Sequence, residues 1–315
     1  MKKTAALALL VVLLASAPAL PATRISVATG PWGGVFYLVG TSLAHVLSKN
    51  VHDTTAIAEP VTGSAHGLEL VDRGEVTIGF VGLAAAHFGV RGQREFTRRH
   101  DNVAFVMAAM DTAQTLVTLP DSGIKTFADV KDLRVAANTE SAKAQLLAVL
   151  KLHGLTEKNV RLRIMNFAEQ LEALRNGTLE AGFMAISPYN RDVAAFAAGQ
   201  PIRLVGLDAA RAKALEEPPF WTPVVIRART YPGQDRDVIV PGVHTTLLAH
   251  KQADPALIYQ ITKTIIDHGK EFGDLHPGGR EFTVAKTRYF VEHHLVPVAF
   301  HPGAERYWRE TGVLK

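Results

Sequence analysis

The stretch RISVATGPWGGVFYLVGTSLAHVLSKN, residues 24–50, decides how the rest of the chain is read. Ile25, Val27 and the small Ala28 and Thr29 suit a buried strand, and Gly30, Pro31, Gly33 and Gly34 then break the pattern. Apolar residues return at Val35, Phe36, Val39, Leu43, Val46 and Leu47, which is a helical period. A glycine-rich turn feeding a helix leaves the first peptide N–H groups of that helix unpaired, with the helix dipole behind them. Such a turn suits a carboxylate or phosphate, although strand, glycine turn and helix is also how an ordinary βαβ unit turns a corner. The spacing is neither G-x-G-x-x-G nor G-x-x-x-x-G-K-[ST], so the dinucleotide and P-loop readings fall away.

Upstream of this stretch, Lys2 and Lys3 precede a run of apolar and small residues over 5–15, then Ala17-Pro18-Ala19 and Ala22. This is the pattern of a secretory signal peptide, placed at residues 1–22, and it makes the expected location periplasmic. The run is too short to span a bilayer and no later segment approaches the required length, so direct membrane insertion is not expected. The 315 residues include no cysteine, which excludes a disulfide framework and a lipid-anchored cysteine. A chain of this length buries a core that stands without covalent staples, in two domains or one large one. The formal charge of +4 is scattered. Arg91, Arg94, Arg98, Arg99 and His100 form a basic cluster that reads as a solvated loop or a partner-facing patch, and no nucleic-acid partner is expected.

Strand-like runs over 24–30, 54–61, 76–81, 103–107, 115–119, 133–137, 160–165, 179–186, 202–206 and 223–228 alternate with helical patterns. That alternation predicts parallel sheets with helices on both faces. Helices are expected to stop at Gly74, Gly154 and Gly177, with others over 209–217, from Pro255, over 281–293 and from Pro302. Residues 218–221 read as a crossing and 231–242 as loop-rich. Leu68-Glu69, Gly74 and Gly79-Phe80 recur at one constant offset as Leu171-Glu172, Gly177 and Gly182-Phe183, and the opening strand has a counterpart in Leu133-Arg134-Val135-Ala136-Ala137. Two similar α/β lobes follow, with ligand-facing turns at the carboxyl ends of their strands. In the first lobe these turns are 30–34, Thr62-Gly63-Ser64 and Gly82-Leu83; in the second they are Asn138-Thr139-Glu140-Ser141 and Ser187-Pro188-Tyr189.

Further matching pieces run through the chain in order: Ala28-Thr29-Gly30 with Gly33-Gly34 and Tyr37, Thr62-Gly63-Ser64 with Leu68, Gly74-Glu75, Asp121-Ser122-Gly123-Ile124 with Leu133-Arg134-Val135-Ala136, Tyr231-Pro232-Gly233, Tyr259-Gln260-Ile261-Thr262-Lys263, and His301-Pro302-Gly303-Ala304 with Arg306-Tyr307. On these residues the chain resembles the extracytoplasmic solute-binding proteins of the TAXI type, which serve tripartite ATP-independent periplasmic (TRAP) transporters. The resemblance implies an α/β, type II periplasmic-binding-protein fold. Lobe I would comprise residues 23–111 and 222–315 and lobe II residues 112–221, with crossings near 110–112 and 221–224. It also implies a monomeric receptor, without cofactor or metal, that captures a small organic acid or amino acid between its lobes and delivers it to TRAP permease subunits. The sequence departs from the family at Pro31-Trp32, where Gly-Thr is usual, at Gly67, usually Asn, at Gly82 and Ala84, commonly Gln and Asp, and at the turn 138–141, often Gly-Ser-Gly.

The expected ligand contacts are the backbone around Gly33, Gly34 and Val35, the side chain of Trp32, the hydroxyls of Tyr37 and Ser64, and Thr62, Gly63 and Gly82, with Asn138, Thr139, Glu140, Ser141 and Ser187 closing from lobe II. Trp32 reads either as an apolar wall or as a surface aromatic, and Glu140 either as the partner of an ammonium or hydroxyl group or as a solvated residue at a helix start. An enzyme is not expected. The 13 histidines include no H-E-x-x-H, the adjacent His293 and His294 point apart on a helix, and no G-x-S-x-G is present. A sensor or another transporter's receptor of the same fold is the alternative, and an exported hydrolase or metal-binding protein a more distant one.

Overall fold

The computed structural model describes residues 23–215 and 220–315. The expected signal peptide and the Pro218-Pro219 part of the expected crossing lie outside the described residues. The chain begins with β1 (Thr23–Ala28), α1 (Val35–Asn50), β2 (Thr54–Glu59), α2 (Ser64–Asp72), β3 (Ile78–Gly82), α3 (Leu83–Gly89) and β4 (Val103–Ala108). It continues through β5 (Thr112–Thr118), β6 (Arg134–Ala137), α4 (Glu140–Leu152), β7 (Arg161–Ile164), α5 (Phe167–Arg175), β8 (Ala181–Ser187), α6 (Arg191–Gly199) and β9 (Arg203–Leu204). Then come α7 (Ala209–Ala214), β10 (Trp221–Ile226), β11 (Val238–Val243), β12 (Thr245–His250), α8 (Pro255–Asp267), α9 (Gly269–Leu275), α10 (Val284–Glu292) and α11 (Pro302–Glu310).

These elements build two sheets. One runs β2-β1-β3-β12-β4, the other β10-β11-β5-β8-β6-β7 with β9 beside β5. β1 lies parallel between β2 and β3, as β6 lies parallel between β7 and β8. The repeated pattern seen in the sequence occupies equivalent places in the two sheets: α2 and α5 end ahead of Gly74 and Gly177, whose φ values of 69° and 67° are left-handed. The C-terminal helices pack on the first sheet. Buried Trp308 of α11 donates its Nε1–H to the Val106 carbonyl of β4 at 2.7 Å, and the Ala108 N–H donates to Thr287 Oγ1 of α10 at 3.2 Å.

The sheets are mixed rather than all-parallel, because β12 runs antiparallel to β3 and β4, and β5 antiparallel to β8 and β11. The expected loop over 231–242 contains most of β11, and β12 is a strand that the sequence pattern did not mark. Pro241-Gly242 reads as a break, but Gly242 answers a close approach between strands: a Cβ there would lie 2.6 Å from the Thr222 carbonyl of β10. The strand expected to open the return to the first lobe, 223–228, instead pairs as β10 with β11, which pairs with β5. The chain therefore passes between sheets at 109–111 and again at His244, not at 221–224.

The two passages are tied together. His244 Nδ1 lies 2.8 Å from Asp111 Oδ1, and Lys286 Nζ of α10 lies 2.9 Å from Asp111 Oδ2 and 2.8 Å from Glu281 Oε2. The Asp111 N–H also donates to Glu281 Oε2 at 2.8 Å. Burial alone would raise the pKa of Asp111, but the hydrogen bond from His244 and the charge of Lys286 outweigh it and hold the carboxyl below its ordinary value.

Tyr231 fixes a second joint. Its buried hydroxyl donates to the Ile186 carbonyl at 2.5 Å and accepts the Asn190 N–H at 2.9 Å, while its ring stacks on Tyr189 with centroids 5.5 Å apart. Burial raises the pKa of this phenol. Tyr231→Phe leaves a buried N–H and a carbonyl without their partner, so the expected loss of stability in urea unfolding is about 1–3 kcal/mol; an unchanged midpoint would mean that these groups find other partners.

Candidate ligand-binding site

A cavity of about 80 Å³ lies between the two sets of strand ends. On one side it is lined by Gly30, Pro31, Gly34, Val35 and Phe36 around the start of α1, by Gly63 and Ser64 at the start of α2, and by Gly82. On the other side stand Asn138, Thr139, Ser141, Ala142 and Gln145 around the start of α4, with Phe167 and Ala185. Thr112, Gln114 and Val243, from the strands beside the two passages, complete the lining.

Three helix starts meet here, and the local sequence makes each of them a donor. α1 follows extended Gly34 and α2 follows Gly63, neither with a side-chain cap, so their first peptide N–H groups have no intrahelical acceptor. α4 follows Thr139, whose Oγ1 accepts the Ala142 N–H at 3.0 Å. Ser64 Oγ likewise accepts the Gly82 N–H at 3.0 Å. A hydroxyl used as an acceptor keeps its own proton to donate, so Ser64 and Thr139 add O–H donors to the N–H groups. Gln114 Nε2 donates to Gln145 Oε1 at 3.0 Å, while Gln114 Oε1 is buried with no hydrogen-bond partner among the described residues.

The two walls nearly touch. A Cβ on Gly63 would lie 4.0 Å from Thr139 Cβ, and one on Gly34 would lie 3.4 Å from Phe167 Cε2. Ser64, Gly82, Ser141, Gln145 and Val243 also line an adjoining outer chamber of about 520 Å³ between α3 and α4.

Of the residues singled out in the sequence, Gly34, Val35, Gly63, Ser64, Gly82, Asn138, Thr139 and Ser141 are brought together at this cavity. Six stand elsewhere. Trp32, Gly33 and Thr62 border a separate open cleft beyond Pro31 and Phe167, which line both spaces. Trp32 is 69% exposed and its ring packs on half-buried Tyr37 at 4.4 Å, and Tyr37 is not among the residues that line the cavity. The Thr62 N–H is spent on His66 Nδ1 at 3.3 Å. The Glu140 side chain is 80% exposed on the outer side of the first turn of α4, 4.0 Å from Lys143 Nζ. Ser187 ends β8, paired with Ala113 of β5. Gln145 follows Ser141 by one helical turn and was within reach of the period of α4. Thr112, Gln114 and Val243 carry no local signal, since only sheet pairing brings β5 and β11 to the cleft.

Two sheets, two passages between them and a cleft of strand ends and helix starts define a type II periplasmic-binding-protein fold. Solved structures agree with that architecture. The alkanesulfonate-binding protein SsuA of Xanthomonas axonopodis pv. citri, bound to MOPS, superposes with a TM-score of 0.52 at 16% identity over 92% of this chain and 85% of its own. The periplasmic aliphatic sulphonate binding protein SsuA of Escherichia coli gives 0.50 at 16% identity, over 91% and 83%. A protein of Bordetella bronchiseptica RB50 gives 0.55 at 13% identity, over 92% and 98%. The chain belongs to the NMT1-like family, whose model matches residues 27–312.

Proposed function

We propose that the protein is an exported receptor that closes its two lobes on a small anionic solute and hands it to a membrane permease. One observation carries this reading: residues at helix starts from both sides, α1 and α2 against α4, line a single cavity, and the first N–H groups of α1 and α2 have no side-chain cap. A ligand held this way touches both walls only when the lobes are together, which supplies the differential free energy for closure. The polar groups among the described lining residues, Ser64, Asn138, Thr139 and Ser141 with Gln114 and Gln145, are of kinds that hold a ligand by hydrogen bonds. The fold neighbour from Escherichia coli is described as a periplasmic aliphatic sulphonate binding protein, which supports the receptor reading, and the resemblance to TAXI proteins points to a TRAP permease as the partner. Among the described residues no helix is long and apolar enough to cross a membrane.

The test is native mass spectrometry of the purified protein, followed by scattering with and without the molecule that co-purifies. A bound organic anion and a smaller radius of gyration on saturation are expected; a radius that does not respond to a bound ligand would count against closure. Uptake by proteoliposomes that need this protein and an ion gradient but no ATP would support the TRAP partner, and uptake that requires ATP would replace it with an ATP-driven one.

A further inference from the structure

The inner cavity is lined mostly by apolar surface, with its polar groups gathered at the helix starts, and has no charge of its own: among its described lining residues there is neither a lysine or arginine nor an aspartate or glutamate. It offers an oxyanion the N–H groups at three helix starts and the hydroxyl protons of Ser64 and Thr139. To an ammonium group it offers little. Glu140 faces solvent, Asp192 lines the open cleft beyond Pro31 and Phe167, and Glu95 stands in the outer chamber. Its side-chain acceptors, among them Asn138 and Ser141, are all neutral, whereas an ammonium brings three protons and a charge that is costly to bury without a carboxylate; one acceptor, Gln114 Oε1, is buried with no hydrogen-bond partner among the described residues. That oxygen suits one hydroxyl.

The outer chamber is larger and has charged residues at its border. Leu83 and Phe88 stand on the side of α3, Ala144, Ala148 and Leu152 on the side of α4, and Trp221 beside them, while Arg94, Glu95 and Lys151 also border the space. Its volume of about 520 Å³ falls in the range that holds a body of drug-like size, which the inner cavity of about 80 Å³ does not.

We infer that the ligand is an oxyacid, carboxylate or sulfonate, that carries no ammonium group and whose apolar body runs from the inner cavity into the outer chamber between α3 and α4. The inference rests on the receptor reading above and narrows its substrate class to desamino acids, excluding amino acids. A hydroxyl next to the acid group is accommodated by Gln114; an amino group there is not.

Calorimetric titration of the full mature chain with a matched series tests this: 3-phenylpropanoate, 3-phenyllactate, 2-phenylethanesulfonate and phenylalanine. The first two acids are expected to bind at least about 100-fold more tightly than phenylalanine, the equivalent of roughly 3 kcal/mol. The sulfonate identifies the head group, since binding in its place of the carboxylates assigns the inner cavity to a sulfonate. Phenylalanine binding as tightly as 3-phenylpropanoate would overturn the inference while leaving the receptor reading intact. Failure of every probe, amino acid included, with a normal unfolding midpoint would count against both. Ala148→Trp, at an exposed position of α4, fills the outer chamber without entering the core. It is expected to weaken the best aromatic acid at least about tenfold, and unchanged affinity would remove the ligand body from that chamber.

Discussion

Lys286→Met is expected to cost about 3 kcal/mol of folding stability, measured by urea unfolding at neutral pH, because it leaves Asp111 and Glu281 facing each other without their shared cation. The Lys286 side chain is 15% exposed, so water replaces little of what it supplies, while the greater exposure of Glu281 keeps the cost at the low end for a buried pair. The cluster also couples stability to pH in a definite direction. Asp111 has a folded pKa below its ordinary value of 3.8, so its contribution is fully present above that value and is lost as pH falls through the folded one. Asp111→Asn is therefore expected to be less stable than the parent at neutral pH and to lose less on acidification below about pH 4. Parallel stability curves for the two proteins through that window would show that Asp111 is not an acid-sensitive group of the fold. Because Asp111 and His244 sit on the two passages between sheets, the same substitutions report on the joint about which the lobes would move.

Gly34→Leu is expected to abolish ligand binding, by at least about 100-fold for 3-phenylpropanoate in the same titration, while leaving the protein folded. The backbone of Gly34 has φ −73° and ψ 157°, which any residue adopts, so the effect is not one of strain. A Cβ there already lies 3.0 Å from the Pro31 carbonyl and 3.4 Å from Phe167 Cε2, and the remaining side-chain atoms enter the cavity between the two walls. Binding that survives at parental affinity, with the unfolding midpoint unchanged, would move the ligand away from the start of α1. Together with Ala148→Trp, the variant separates the part of the site that takes the acid group from the part that takes the body.

Much of the fold was legible along the chain because its signals are local. The period of 24–50, the glycines that end α2, α4 and α5, and the repeat of Leu68-Glu69, Gly74, Gly79-Phe80 each state a helix or strand without reference to anything distant. β11 and β12 were not legible for the opposite reason. Val238-Ile239-Val240-Pro241-Gly242-Val243 carries turn residues that serve close packing between β10 and β5, and β12 takes its place between β3 and β4 from a part of the chain far from both. The same division runs through the site. Gly34, Gly63, Ser64, Thr139 and Ser141 sit at helix starts, which composition announces; Gln114 and Val243 reach the cavity through sheet pairing, which it does not.

By itself the sequence determined that residues 30–36 form a glycine turn with free N–H groups at the head of a helix, and that a second lobe presents a matching turn at 138–141. Propensity and capping act over a few residues, so neighbours in the chain are enough to decide them. Only the tertiary structure decided which face of each turn meets the other. It left Trp32 and Glu140 exposed and Tyr37 outside the cavity lining, set Gln114 and Gln145 against the cavity, and moved the second passage to His244, because those outcomes depend on how two sheets are joined and how closely their walls approach.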